Sequence, residues 1–470
     1  MKTSLQKLMM LTLIPFFAII FSCVQNDLYD KINQNAGTGT YSVKYNSNTA
    51  SGSVPVDSKK YNEGDIVELL PPDNLVLSNH FFVGWSKTSG TAPAADILHV
   101  HDTYTMEEDN VTFYAQWIPW TSFAQLNSTI DTVKVQTSCT FGAGSAVSIS
   151  FIYANNKSYI DFPFGSPVPD GSGYMCESGS KAIFNKFFMS EHIVTNRIFK
   201  EVFQWAYDYG KFKHNNDKTR INSTNAKYGD KILINFSGSK ISFDNDNRSF
   251  EIDSGFENYP VVNVTLHGAI MFCNWLTEIF DGKANIVYAG ITKESWNVSS
   301  NSNKGYRLPT DAEWEYAARY IGTAEYTGTE KLSLDQVSVG RVTAPLYDPL
   351  TSGYWWTPGH YASGALADWD HAGAPSGEFY TGEVAWHKGN SGGNLRAVGL
   401  KTANQLGLRD MSGNVWEWCY DEAATVKWTY RGGAFDSEAS NGELEVGVQE
   451  NATSTELARA NLGFRLARTQ

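Results

Sequence analysis

The sequence predicts an α+β protein: a small β-rich domain followed by a larger one with few regular elements and long loops. Three observations predict it. Between residues 40 and 119, short runs alternate apolar and polar side chains between Gly and Pro breaks, the period of half-buried strands. Farther along, three stretches place apolar residues at helical spacing. Beyond residue 320 the periodicity fades into a passage rich in Gly, Asn and Trp, the composition of loops packed on a rigid scaffold.

The 470 residues, 42% hydrophobic with 26 Phe, 24 Tyr and 14 Trp, give room for two or three domains and exclude disorder as the dominant state. With 37 basic against 50 acidic residues, the net charge of −13 argues against nucleic acid as a partner, because phosphate binding needs a surplus of Lys and Arg.

At the N-terminus, Lys2 and Lys7 precede an apolar stretch from Leu8 to Phe21, and Ser22-Cys23 follows. A short basic segment, an apolar segment too short to span comfortably and a small residue before a Cys read as a lipoprotein signal peptide over residues 1–23. Cys23 is then the acylated residue, and the chain is anchored to a bacterial outer membrane or cell surface through lipid only. Residues 24–39 are polar and Gly/Asn-rich, a flexible tether.

In the β-rich domain, Tyr41–Tyr45 and Val111–Trp117 alternate most clearly. TYSVKYNSN, YNEGDIVELLPP, HFFVGWSK and DNVTFYAQW resemble a single InlB B-repeat (Listeria–Bacteroides repeat). That resemblance implies a β-grasp-like spacer over 40–119, with Gly84, Trp85, Tyr114 and Trp117 as core and turn residues. His99 and His101 share a strand face without a third ligand nearby, and read as surface residues. Cys139, Cys176, Cys273 and Cys419 leave two disulfides open, with three pairings, and no CxxC pair supports a zinc ribbon.

The larger domain, residues 120–470, has its helices at 195–209, with Ile198, Val202, Ala206 and Tyr209 on one face; at 266–280; and from Thr310, where Thr310–Glu313 reads as a capping box. Five segments then carry a family resemblance: FFMSEHIVTNRIFKEVF (187–203), YPVVNVTLHGAIMFCNWL (259–276), GYRLPTDAEWEYAAR (305–319), LGLRDMSGNVWEWCYD (406–421), and the pair YRGGAF (430–435) and NLGFRLAR (461–468). From about residue 130 to the end the chain is similar to the sulfatase-modifying-factor superfamily, the formylglycine-generating-enzyme type of C-type-lectin-like fold. The resemblance implies calcium held by Asp410, Gly413, Val415 and Glu417, two carboxylates with two backbone oxygens.

One departure decides the functional reading. Formylglycine-generating enzymes bind copper through two cysteines between the RGG and GFR segments, and residues 434–462 here hold no Cys, so no copper is expected. The histidine set of the iron-dependent sulfoxide synthases is also missing. The expected function is therefore binding of a protein or glycan ligand, as in the variable proteins of diversity-generating retroelements that share this architecture. Candidate contacts are Trp355, Trp356 and Tyr361 from an aromatic insertion (354–370), with Asp436, Glu438, Glu443 and Glu445 from the acidic loop. Alternatives are an oxidoreductase with non-standard metal ligands, and a structural lipoprotein of an envelope assembly such as the gliding-type lipoproteins.

Overall fold

A computed structural model describes residues 39–119, 134–164, 179–322, 332–333, 346–348, 354–365 and 381–469, short loops within these ranges excepted. The expected signal peptide with Cys23, nearly all of the tether, His99, His101, Cys176 and Trp369 lie outside the described residues. The chain divides into two compact units, Met1–Thr121 with Ala206–Lys211, and Ser122–Trp205 with Phe212–Gln470. Among the described residues, no helix is long and apolar enough to cross a membrane.

In the first unit, β1 (Val43–Asn46) alternates buried and exposed side chains, as its sequence dictates. The unit continues with β2 (Ile66–Glu68), β3 (His80–Ser86), β4 (Thr103–Thr105) and β5 (Val111–Pro119). Strand β5 is central, with β1 parallel on one side and β3 antiparallel on the other, while β2 and β4 pair separately. Trp85 is fully buried, its ring 4.6 Å from Tyr45 and 5.1 Å from Phe82. Its indole N–H donates to the Leu70 carbonyl at 2.7 Å, so the polar atom that Trp85 carries into this core is satisfied.

The second unit begins with β6 (Lys134–Phe141), β7 (Ser145–Asn155) and β8 (Phe187–Ser190). Its three long helices are α1 (Asn196–Asp208), α2 (Leu266–Asp281) and α3 (Asp311–Arg319). On α1 the buried face runs through Phe199, Val202 and Phe203, whereas Ile198 is only half-buried, so the apolar stripe is turned slightly from the one its spacing predicts. Helix α2 is buried on nearly every side from Leu266 to Thr277, and Thr265 caps it by accepting from the Gly268 N–H. A Cβ on Gly268 would lie 2.0 Å from the Leu233 carbonyl oxygen, so the helix approaches that backbone only through glycine. The capping box on α3 is present in full: the Glu313 N–H donates to Thr310 Oγ1 and the Thr310 N–H donates to the Glu313 carboxylate.

Strand β9 (Tyr306–Arg307) precedes α3; after it come β10 (Leu346–Asp348), β11 (Tyr354–Trp356), β12 (Trp416–Tyr420), β13 (Trp428–Arg431), β14 (Gln449–Asn451), β15 (Leu462–Gly463) and β16 (Ala467–Thr469). One five-stranded sheet runs β9-β16-β8-β7-β6 and a four-stranded sheet runs β14-β13-β12-β15. The unit is thus a mixed assembly of small sheets and few helices. Cys273 on α2 and Cys419 on β12 are free, buried thiols, which removes the two-disulfide scheme.

Burial of His267, with the charge of Lys231 as a lesser cause, pushes its imidazole down to about 3. The unfolded chain therefore binds a proton that the folded chain refuses. Stability is expected to fall by up to about 1.4 kcal/mol per pH unit as the pH drops from 6.5 towards 3. Urea midpoints between pH 7 and 4.5 should decline less steeply in His267→Gln than in the parent; equal slopes would remove His267 from the acid response.

Candidate functional site

The loop entering β12 is tightly wound. Asp410, Gly413 and Asn414 all take positive φ, and a Cβ on Gly413 would sit 2.2 Å from the Trp386 carbonyl oxygen. Asn414 then ties the loop to its neighbour, accepting from the Arg396 N–H and donating to the Arg396 carbonyl.

Along β12 side chains alternate faces. Trp416 and Trp418 both pack on Tyr430, with ring centroids 5.3 and 6.0 Å away. Glu417 points the other way into a sealed pocket. Its Oε2 accepts from Arg465 Nε at 2.6 Å and from Trp314 Nε1 at 2.7 Å, and its Oε1 accepts from Arg465 Nη2 at 2.7 Å. Arg465, itself fully buried, also donates to the carbonyls of Ser190 and Arg409. A second buried cluster lies alongside: Arg431 bridges Asp311 and Glu315, and Arg319 closes on Glu315 at 2.9 Å.

This geometry bears on the calcium expectation. Three N–H donors occupy the Glu417 carboxylate, and a guanidinium supplies the positive charge that an ion would bring. At Asp410, one oxygen accepts from the Gly399 N–H at 2.7 Å; the other is buried without a hydrogen-bond partner, and burial pushes the carboxyl up to about 6. One spare carboxylate oxygen with the Gly413 and Val415 carbonyls makes three, short of the six to eight that calcium takes. Among the described residues no group of three or more His, Cys, Asp or Glu is placed to hold a metal. Asp410, Gly413, Val415 and Glu417 as they stand do not fit calcium.

The aromatic insertion is also corrected. Trp356 is fully buried, packed against Tyr316 and Tyr320, and Tyr361 is 3% exposed, so neither offers a contact surface. Trp355 lies in β11, paired in the backbone ladder with Gly322 and Tyr347, and its side chain lies outside the described residues.

The acidic loop is largely engaged. Asp436 is exposed and accepts from Asn461, Glu438 pairs with Lys388, and Glu456 pairs with Lys231 at 3.3 Å. Glu443 is half-buried, while Glu445 is buried at 8% exposure and leaves the candidate surface. Burial pushes both described thiols, Cys273 and Cys419, well up, the reverse of what a reactive or copper-binding thiolate requires.

Sequence reasoning missed a cleft of about 460 Å³ beside the start of α1, lined from one side by His192–Ile198 and from another by Ala397, Val398 and Leu400. No local motif announces it, because its walls come from segments some two hundred residues apart.

A family profile described as Sulfatase-modifying factor enzyme 1-like domain matches residues 165–470. The chain is 31% identical over 215 residues to a Paenibacillus barcinonensis protein named chaperone protein LppX; the alignment covers 41% of this chain and only 65% of that relative. Among solved structures, Treponema denticola variable protein 1 is 22% identical with a TM-score of 0.40, over 72% of this chain and 99% of that one. PvdO from Pseudomonas aeruginosa is 16% identical with a TM-score of 0.38, over 69% of this chain and 94% of that one.

Proposed function

Since the chain belongs to the sulfatase-modifying factor enzyme 1-like family through residues 165–470, we propose that it is a binding member of that family, a cell-envelope lipoprotein whose large domain holds a protein or glycan ligand without oxidising cysteine. The observation that carries this reading is the thiol inventory. Residues 434–462 contain no Cys, and Cys273 and Cys419, the two thiols whose side chains are among the described residues, are sealed in the core where neither can present a thiolate. Cu(I) chemistry of the family type needs two accessible thiolates, and carboxylates are too hard to replace them. In this reading Cys23 is acylated, residues 24–39 are the tether and residues 40–119 are the β-repeat spacer that lifts the binding domain from the membrane. The relative's name, a chaperone, is in keeping with a binding role.

Incubating the purified chain with a Cys-containing sulfatase peptide, copper and oxygen is expected to yield no formylglycine by mass spectrometry. Turnover above a copper-only control would overturn the proposal in favour of an oxidoreductase with non-standard ligands.

A further inference from the structure

We propose that the cleft beside α1 is a binding site for a small carboxylate carrying an apolar body. This deepens the binding reading and rests on it. The cleft's volume of about 460 Å³ falls within the roughly 300–1,000 Å³ of small-molecule sites.

Its charge is unbalanced. The Arg197 side chain lines the cleft half-buried, with no ion pair or hydrogen bond to its guanidinium among the described residues; only its backbone N–H is engaged, with the Glu257 carbonyl. Among nearby acids, Glu201, one turn along, feels the charges of Lys200 and Arg197 without an ion pair to Arg197 among the described residues, and Glu191 faces Arg409 and His192 at 3.8 and 3.9 Å. The first turn of α1 carries no acidic residue. A helix start is already the positive end of the dipole, so a cation there raises a potential that an anion would relieve. The first-turn N–H groups of Ile198 and Phe199 are satisfied by Thr195, which leaves the guanidinium as the free donor.

The remaining wall is mixed, with an apolar part. Ile149, Ile198 and Val398 give an apolar stretch interrupted by the polar Ser150, His192 and Asn258, and Leu400, 63% exposed, stands at the edge. A planar fork matched to carboxylate geometry beside an aliphatic stretch selects a charged head on an apolar tail.

The test is calorimetric titration of the purified full chain with octanoate, octanamide (same tail, no charge) and acetate (same charge, no tail). Octanoate is expected to bind saturably, and the other two at least about tenfold more weakly. Arg197→Gln should weaken octanoate by about tenfold or more at an unchanged melting midpoint. Lys200→Gln, on the same helix but paired with Glu251, should leave binding unchanged. If Arg197→Gln disturbs the fold, Leu400→Ser at the edge replaces it, with an expected loss of about fivefold. Absence of saturable octanoate binding, equal binding of octanamide, or full affinity in Arg197→Gln with the fold intact would overturn the inference. Formylglycine formation alongside octanoate binding would fail the non-catalytic reading alone. No octanoate binding in a chain that makes no formylglycine would fail this inference alone.

Discussion

Replacing Arg465 by methionine is expected to lower stability by about 3–5 kcal/mol, because the substitution leaves the Glu417 carboxylate buried and uncompensated. Glu417 and Arg465 are both fully buried, and the guanidinium alone supplies two of the three hydrogen bonds to that carboxylate. Methionine keeps much of the volume but none of the charge, so the loss measures electrostatics rather than a cavity. Adding Glu417→Gln removes the stranded charge while retaining an acceptor for Trp314, and the double variant is expected to recover about 2 kcal/mol of the loss. Urea unfolding of the parent, both single variants and the double variant at neutral pH gives the full cycle. A single-variant loss below about 1 kcal/mol would mean that the pair contributes little more than a surface ion pair. The same samples address calcium: with Arg465 as the cation, a chelator should leave the parent's midpoint where it is. A midpoint lowered by chelator would return Asp410 and Glu417 to the role of ligands.

Trp356→Ala is expected to cost about 3–5 kcal/mol and to shift the thermal midpoint sharply downward. The indole is fully buried, with ring centroids 5.5 Å from Tyr316 and 5.9 Å from Tyr320, and its backbone pairs with both Tyr320 and Leu346. Removing it opens a hole between α3 and β11 that these neighbours are too constrained to fill. A contact platform predicts the reverse, unchanged unfolding with impaired ligand capture. Denaturant curves separate the two, and a loss under about 1 kcal/mol would put Trp356 back at the surface.

What the sequence made legible is what local physics decides. The start of α3 was readable to the residue, because Thr310 and Glu313 satisfy each other's backbone within one turn. The alternation along Val43–Asn46 places that strand for the same reason. What stayed hidden depends on partners remote in the chain. Glu417 looks identical whether it faces a metal or a guanidinium, and Arg465 lies 48 residues away. A dense run such as Tyr354–Trp356 has one composition whether its rings face solvent or a core, and the placement of Tyr316 and Tyr320 resolves it for Trp356. The coarse fold class, small sheets with few helices, survived these misreadings because it depends on element type and order. The site assignments did not, because they depend on which surfaces meet.

Strand β16 sits inside its sheet, between β8 and β9, although more than 150 residues separate it from either. During synthesis, β8 and β9 leave the ribosome long before the strand that must lie between them exists. Arg465 emerges only just ahead of it, so the buried Glu417 has no counter-charge until the same moment. The second unit therefore cannot settle progressively from its N-terminal side; its sheet and its charge balance both close in a single late step. A polypeptide that cannot close this sheet before residue 469 is made stays slack until its last strand emerges.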